Sequence, residues 1–192
     1  MSNADFSELP SSDLPLCGDL DMRIARDGTW YYRGSPINRK PLVKLFSTVL
    51  RREDDGAYWL VTPAERGRVV VDDAPFTAVE VSASGSGPDQ VLRFRTNLDD
   101  EVTVDSAHPL WVRTAPDGQP SPYVRVRPPM TEEHQATADT SRMPPGLDAL
   151  ILRPVYYHLV ELGTFHTAED RTAFGVWSGG VFFPLGAFAE EE

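Results

Sequence analysis

The chain predicts an α+β fold that is predominantly antiparallel β: two related small β-rich domains with few helices. Three observations carry this expectation. Runs of four to six residues, rich in β-branched and aromatic side chains, recur between Gly, Pro and Asp turns. A single segment shows clear helical spacing of apolar residues. A stretch of Gly, Ser and Pro at 84–89 has linker or hairpin composition and is the best internal boundary.

In chain order, residues 1–22 hold five acids and no base, with Pro10 and Pro15, and read as an extended arm or cover strand. The first domain is expected over 23–84. Asp27-Gly28 is a turn signal, followed by the strand-like Thr29-Trp30-Tyr31-Tyr32-Arg33. Asn38 is placed to cap a helix over about 39–52, with Pro41 in its first turn and Leu42, Leu45, Phe46 and Val49 on its apolar side. Strands are expected at 57–62, 68–71 and 77–82. The second domain, 85–192, continues with strands at 91–96, 101–104, 110–114 and 123–127. A long loop follows at 128–146, with four prolines and almost no apolar pattern. Residues 151–162 mix β-branched and aromatic residues around Pro154 and are read as strand rather than helix. Phe174-Gly175-Val176-Trp177 and Val181-Phe182-Phe183 form hairpin arms around Ser178-Gly179-Gly180. Gly-x-Trp, a turn glycine and Pro-aliphatic occur twice, at 28–37 and 175–185, from duplication or from chance.

Composition narrows the function. Of 192 residues, 29 are acids and 18 are bases, and a net charge of −11 argues against duplex nucleic-acid binding and attachment to anionic membranes. One cysteine, Cys17, excludes an internal disulfide framework or a cysteine-rich zinc module. No signal peptide is visible, and the uncharged stretch 172–189 suits a hairpin better than a spanning helix because it carries four glycines and Pro184. Cytoplasmic residence is the expectation.

No catalytic constellation stands out. His108, His134, His158 and His166 lack metal-ligand spacing, so no metal is expected. Ser178 lies in Trp-Ser-Gly-Gly, without the first glycine of a nucleophile elbow. The acid pairs 54–55, 72–73, 99–100 and 132–133 sit in turn-like contexts. The chain is locally basic, with eight of the 18 bases between Arg23 and Arg52. Arg33, Asn38, Arg39 and Lys40 gather at a helix start, where a phosphate or carboxylate is favoured, although such bases also simply face water.

The run Asp27-Gly28-Thr29-Trp30-Tyr31-Tyr32-Arg33-Gly34-Ser35-Pro36-Ile37, continuing into Lys40-Pro41-Leu42-Val43-Lys44-Leu45-Phe46, resembles the opening of a bacterial family known as domain of unknown function 1285. Phe94-Arg95-Thr96-Asn97, His108-Pro109-Leu110, Tyr123-Val124-Arg125-Val126-Arg127, Arg153-Pro154-Val155-Tyr156-Tyr157 and Val176-Trp177-Ser178-Gly179-Gly180 follow in the matching order, so the resemblance runs over about residues 20–186. It implies a duplicated β-rich core whose C-terminal half is superficially pleckstrin-homology-like. It also implies a groove between the halves for a nucleotide-like ligand, and a role in signal transduction. It implies no catalytic residues.

The leading expectation is a non-catalytic cytoplasmic ligand-binding or sensor protein without a cofactor. Arg33, Asn38, Arg39 and Lys40 would hold an anionic, nucleotide-like ligand, with Arg95 and Asn97 from the other half. Trp30, Tyr156 and Trp177 would offer a stacking face, or else pack in the core. One alternative is a protein-interaction module with a protein partner and no small-molecule ligand. Another is a small phosphoester hydrolase using Asp99, Asp100 or Asp105.

Overall fold

A computed structural model describes residues 16–114, 118–128, 146–168 and 171–187. The first sheet is built from two three-stranded meanders. Strands β1 (Leu16–Ile24), β2 (Trp30–Tyr32) and β3 (Ser35–Pro36) form one, and helix α1 (Lys40–Thr48) leads to β4 (Leu50–Arg52), β5 (Tyr58–Val61) and β6 (Arg66–Val71). Their order is β3-β2-β1-β6-β5-β4, antiparallel throughout except for the central β1–β6 pair, which is parallel.

The second sheet repeats this connection pattern. Its first meander is β7 (Phe76–Ser84), β8 (Val91–Thr96) and β9 (Glu101–Thr103). Its second is β10 (Leu110–Thr114), β11 (Pro120–Arg127) and β12 (Leu147–Ile151). The order β10-β11-β12-β7-β8-β9 again places the first and last strands side by side, and the β12–β7 pair is the parallel one. Helix α2 (Arg153–Glu161) follows, then a separate antiparallel sheet of β13 (Thr164–Ala168), β14 (Arg171–Ser178) and β15 (Val181–Ala187). The protein is β-rich with two helices, and both larger sheets are mixed rather than purely antiparallel.

One continuous apolar cluster joins the parts. Ile24, Trp30 and Leu50 come from the first sheet, Phe76, Phe94 and Val124 from the second, Leu159 from α2 and Val176 from β14. Trp30 is 1% exposed and stacks on Phe46 of α1, with ring centroids 6.4 Å apart. Ser178 fastens the third sheet to the second. Fully buried, it accepts the Leu92 N–H at 2.9 Å and donates to the Val104 carbonyl at 2.6 Å. It is therefore a structural serine between β8 and the end of β9.

Several expectations change. Helix α1 ends at Thr48, not near residue 52, because Ser47 and Thr48 turn their hydroxyls back onto the carbonyls of Lys44 and Leu45 and the chain re-enters the sheet as β4. Its buried side is Val43 and Ser47, while Leu45 is 61% exposed. Asn38 does not cap it: Arg39 is the N-cap, and no side chain bonds the first turn. Residues 153–161 are helix, not strand. Pro154 lies in the first turn, where a missing N–H costs nothing.

The segment 84–89 is the turn of the β7–β8 hairpin, and the change of sheet falls between Val71 and Phe76. Gly85 there has φ +73, and a Cβ would lie 2.4 Å from the Asp89 carbonyl oxygen. Residues 16–22 of the expected arm belong to β1. Residues 1–15 and the loop segment 129–145 lie outside the described residues. The two Gly-x-Trp echoes fall on the β2–β3 hairpin and the β14–β15 hairpin, in sheets of different construction, so they do not mark the repeated connection pattern. No helix among the described residues is long and apolar enough to cross a membrane.

Replacing Ser178 by Ala strands a buried N–H and a buried carbonyl. Leaving such groups unpaired costs roughly 1–3 kcal/mol each. Urea unfolding of Ser178→Ala is expected to show a lower midpoint at an unchanged slope. A wild-type midpoint would mean that these two bonds do not hold the third sheet.

Candidate functional site

The expected ligand residues do not form one site. Lys40 of α1 and Arg95 of β8 do converge across the two halves, but they converge on a carboxylate of the chain itself. Asp99 takes Lys40 Nζ on Oδ1 and Lys44 Nζ on Oδ2, both at 2.7 Å, and Arg95 Nη1 lies 3.6 Å away. Arg95 also binds Glu80 at 2.5 Å. Buried Thr96 shapes the turn that carries Asp99, its hydroxyl accepting the N–H groups of Leu98 and Asp100. The position an external anion would take is thus already filled.

The other expected residues are dispersed. Trp30 is core and offers no stacking face. Arg33 sits at the β2–β3 turn with φ 48, its guanidinium 5.2 Å from the Tyr32 ring centre. Asn38 and Arg39 are exposed on the approach to α1. Asn97 bridges the halves: its Oδ1 accepts the Thr77 N–H at 3.1 Å and its Nδ2 donates to the Gly28 carbonyl at 3.3 Å. Gly28, at φ +84, is required there, since a Cβ would lie 2.6 Å from Asn97 Nδ2. Trp177 packs in the third sheet against the rings of His166 and Phe182. Of the acids considered for hydrolysis, Asp99 is held in ion pairs, and Asp105 accepts the N–H groups of Ala107 and His108. Asp100 pairs with Arg127 at 3.6 Å.

A polar seam runs along the junction of the two sheets. Arg127 donates to the Ser47 carbonyl at the end of α1. Asp148 is 6% exposed between Arg125 Nε at 2.5 Å and Arg52 Nη1 at 3.6 Å. Burial pushes the Asp148 carboxyl upward, and the two arginines oppose that shift. Arg26 Nε lies 3.1 Å from Asp73 Oδ2, and Tyr123 donates its hydroxyl to Asp73 Oδ1 at 2.7 Å. Burial, and then this bond, push the Tyr123 phenol up to about 12.

At one end of the seam the structure opens a cleft of about 230 Å³. Arg26 contributes from the β1–β2 connection, Ser121 from β11, Leu150 from β12, and Arg153, Tyr156 and Tyr157 from α2. The first turn of α2 faces it. The N-cap, Leu152, is extended, no side chain caps the turn, and Pro154 within it carries no N–H. Arg26 Nη2 donates to Ser121 Oγ at 3.4 Å. Arg153 is exposed and makes no ion pair or side-chain hydrogen bond to a described residue. Two arginines, a hydroxyl and the start of a helix thus lie beside two tyrosine side chains around the cleft. Tyr156 is the one expected ligand residue that lines it. Sequence reasoning missed Arg26, Ser121 and Arg153, and the available signal was Arg153-Pro154 read as a helix start. Among the described residues no group of three His, Cys, Asp or Glu could hold a metal ion.

Fold and cleft define a β-rich protein of two like-connected sheets with a small cleft where Arg26 of the first half meets β11, β12 and α2. Residues 12–74 match the model for "Domain of unknown function (DUF1285), N-terminal domain", and residues 75–131 and 130–185 match that for "Protein of unknown function (DUF1285), C-terminal domain". The chain belongs to the DUF1285 family. The division at residue 74 coincides with the change of sheet. A crystal structure of a DUF1285 family protein from Silicibacter pomeroyi DSS-3 is similar over 93% of this chain and 87% of its own, at 43% identity and a TM-score of 0.76. One from Shewanella baltica OS155 is 25% identical over 73% of this chain and 90% of its own, with a TM-score of 0.49. No curated protein is similar to the chain.

The hydrogen bonds from Lys40 and Lys44 hold the Asp99 carboxyl down at about 2, against an ordinary 3.8. A carboxyl depressed in the folded state stabilises above the unfolded value, and that contribution is lost as pH falls from about 4 through 2. An NMR titration of Asp99 is expected to show a midpoint near 2. A midpoint at the ordinary value would show that the two lysines do not engage it in solution.

Proposed function

We propose that the protein is a non-catalytic cytoplasmic ligand-binding protein acting in signal transduction, and that its ligand is a small nucleotide-like anion seated in the cleft at the junction of the halves. The observation that carries this reading is the meeting of Arg26 from the first half and Arg153 from the second on one cleft walled by Tyr156 and Tyr157. Arginine's planar fork suits phosphate oxygens, and the tyrosine faces suit a ring. At about 230 Å³ the cleft is smaller than a typical drug-sized site, so it accommodates the charged group and adjoining atoms and leaves the remainder in water. The repeated connection pattern supports two related halves. The pleckstrin-homology likeness of the C-terminal half belongs to the same proposal and concerns β7 to β12 with α2.

A second reading, a surface for a protein partner, draws on Tyr157 and Phe165, which are 59% and 62% exposed on α2 and β13.

Thermal-shift titration tests the first reading. Ligand at a hundredfold its dissociation constant adds about 2.7 kcal/mol, which for a chain of this size is on the order of 5–10 °C. A shift with adenosine monophosphate is expected in the wild type and absent from Arg26→Ala/Arg153→Ala, whose unliganded melting point stays close to wild type because both side chains are exposed. An equal shift in the double variant would remove the ligand from this cleft. A flat response to nucleotides and phosphate alike would favour the protein partner.

A further inference from the structure

Arg26 is already in use. Its Nε lies 3.1 Å from Asp73 Oδ2 while its Nη2 reaches Ser121 Oγ on the cleft wall. The two partners of the ion pair are unequally held. The arginine side chain is 60% exposed, that of Asp73 19%. Asp73 lies in the connection between β6 and β7, and its second oxygen is fixed by the Tyr123 hydroxyl at 2.7 Å. Tyr123 is itself 7% exposed and stacked on Trp111, with ring centroids 5.8 Å apart. The carboxylate therefore keeps a hydrogen bond when the guanidinium leaves, whereas the more exposed guanidinium has solvent to turn into.

We infer that Asp73 is an internal competitor for Arg26 and sets the affinity of the cleft for anions. An incoming anion takes the guanidinium from Asp73, which remains on Tyr123. The inference rests on the cleft reading above and adds to it an affinity-determining residue that does not touch the ligand. Competition of this kind has a distinctive signature. Only molecules whose Arg26 is disengaged bind, so every anion loses affinity by the same factor, whatever its size or charge. General electrostatic repulsion would scale with ligand charge instead.

Calorimetric titrations with adenosine monophosphate and with adenosine diphosphate, which carry different charges, at fixed ionic strength, separate these cases. Asp73→Asn keeps an oxygen for the Tyr123 hydroxyl and removes the competing charge. It is expected to tighten both probes by one common factor of about two to five, the equilibrium equivalent of an exposed ion pair. Asp72→Asn removes a neighbouring charge that pairs with Arg23 rather than Arg26 and is expected to leave both affinities unchanged. In an Arg26→Ala background the Asp73 substitution should add nothing. Equal affinities in wild type and Asp73→Asn, with Arg26→Ala still weakening both probes, would overturn the competition and leave the cleft standing. A gain that persists without Arg26, or that differs between the probes, would also overturn it. Absence of binding by every form would dispose of the cleft and the competitor together.

Discussion

Each large sheet has its first and last strands at its centre, and this constraint shapes the rest of the molecule. The chain leaves the first sheet through central β6 at Val71 and enters the second through central β7 at Phe76. So short a connection gives the two sheet centres no room to separate, and a single apolar cluster runs through both. Asp72 and Asp73 lie within that connection and are each held by an arginine, Arg23 and Arg26. The cleft lies where the first sheet reaches, through Arg26, the meeting point of β11, β12 and α2.

The junction also explains the distribution of charge. The stretch 23–52 is locally basic in an acidic protein, and much of that excess faces groups of the second half or of its own helix. Lys40 and Lys44 meet Asp99, Arg52 meets Asp148, and Arg51 donates to the carbonyls of Thr48 and Leu50. Exposed pairs such as those on Asp99 contribute little singly and are weakened by salt. The buried Arg125–Asp148 contact differs. Removing Arg125 would leave the buried Asp148 carboxyl with only the more distant Arg52, so the contact favours one arrangement of β11 against β12. Arginine suits this role because its fork bonds several oxygens while its stem packs on rings, as Arg125 does over Trp111 and Arg127 over Phe76.

Local patterns were legible where one residue type has one physical use. Alternating Val79 and Val81 marked β7, period-two character marked β8 and β10, and Pro41 with the apolar spacing after it marked α1. Reading failed where one residue has two uses. Pro154 breaks a helix interior but begins a helix comfortably, and only the position of Leu152 in the ladder to Ala78 decides which applies. Trp30 could have been a ligand platform or a core residue, and packing against Phe46 made it core. Lys40 and Arg95 were expected together and do meet, yet the place of Asp99 between them was invisible because residues 40, 95 and 99 have no common sequence pattern.

The sequence by itself determined the β-rich class, most of the strands, the first helix and the family, since these follow from short-range spacing and from motifs that survive as linear text. Tertiary structure alone decided the parallel central pairs, the second helix, and which cations are already neutralised. It also decided that Arg26 and Arg153 share a cleft. The reason is physical: a carboxylate within ion-pair distance of an arginine competes with outside anions for it, and a carboxylate elsewhere does not. Distance between residues 26, 73, 123 and 153 is a property of the folded chain and has no counterpart in their order along it.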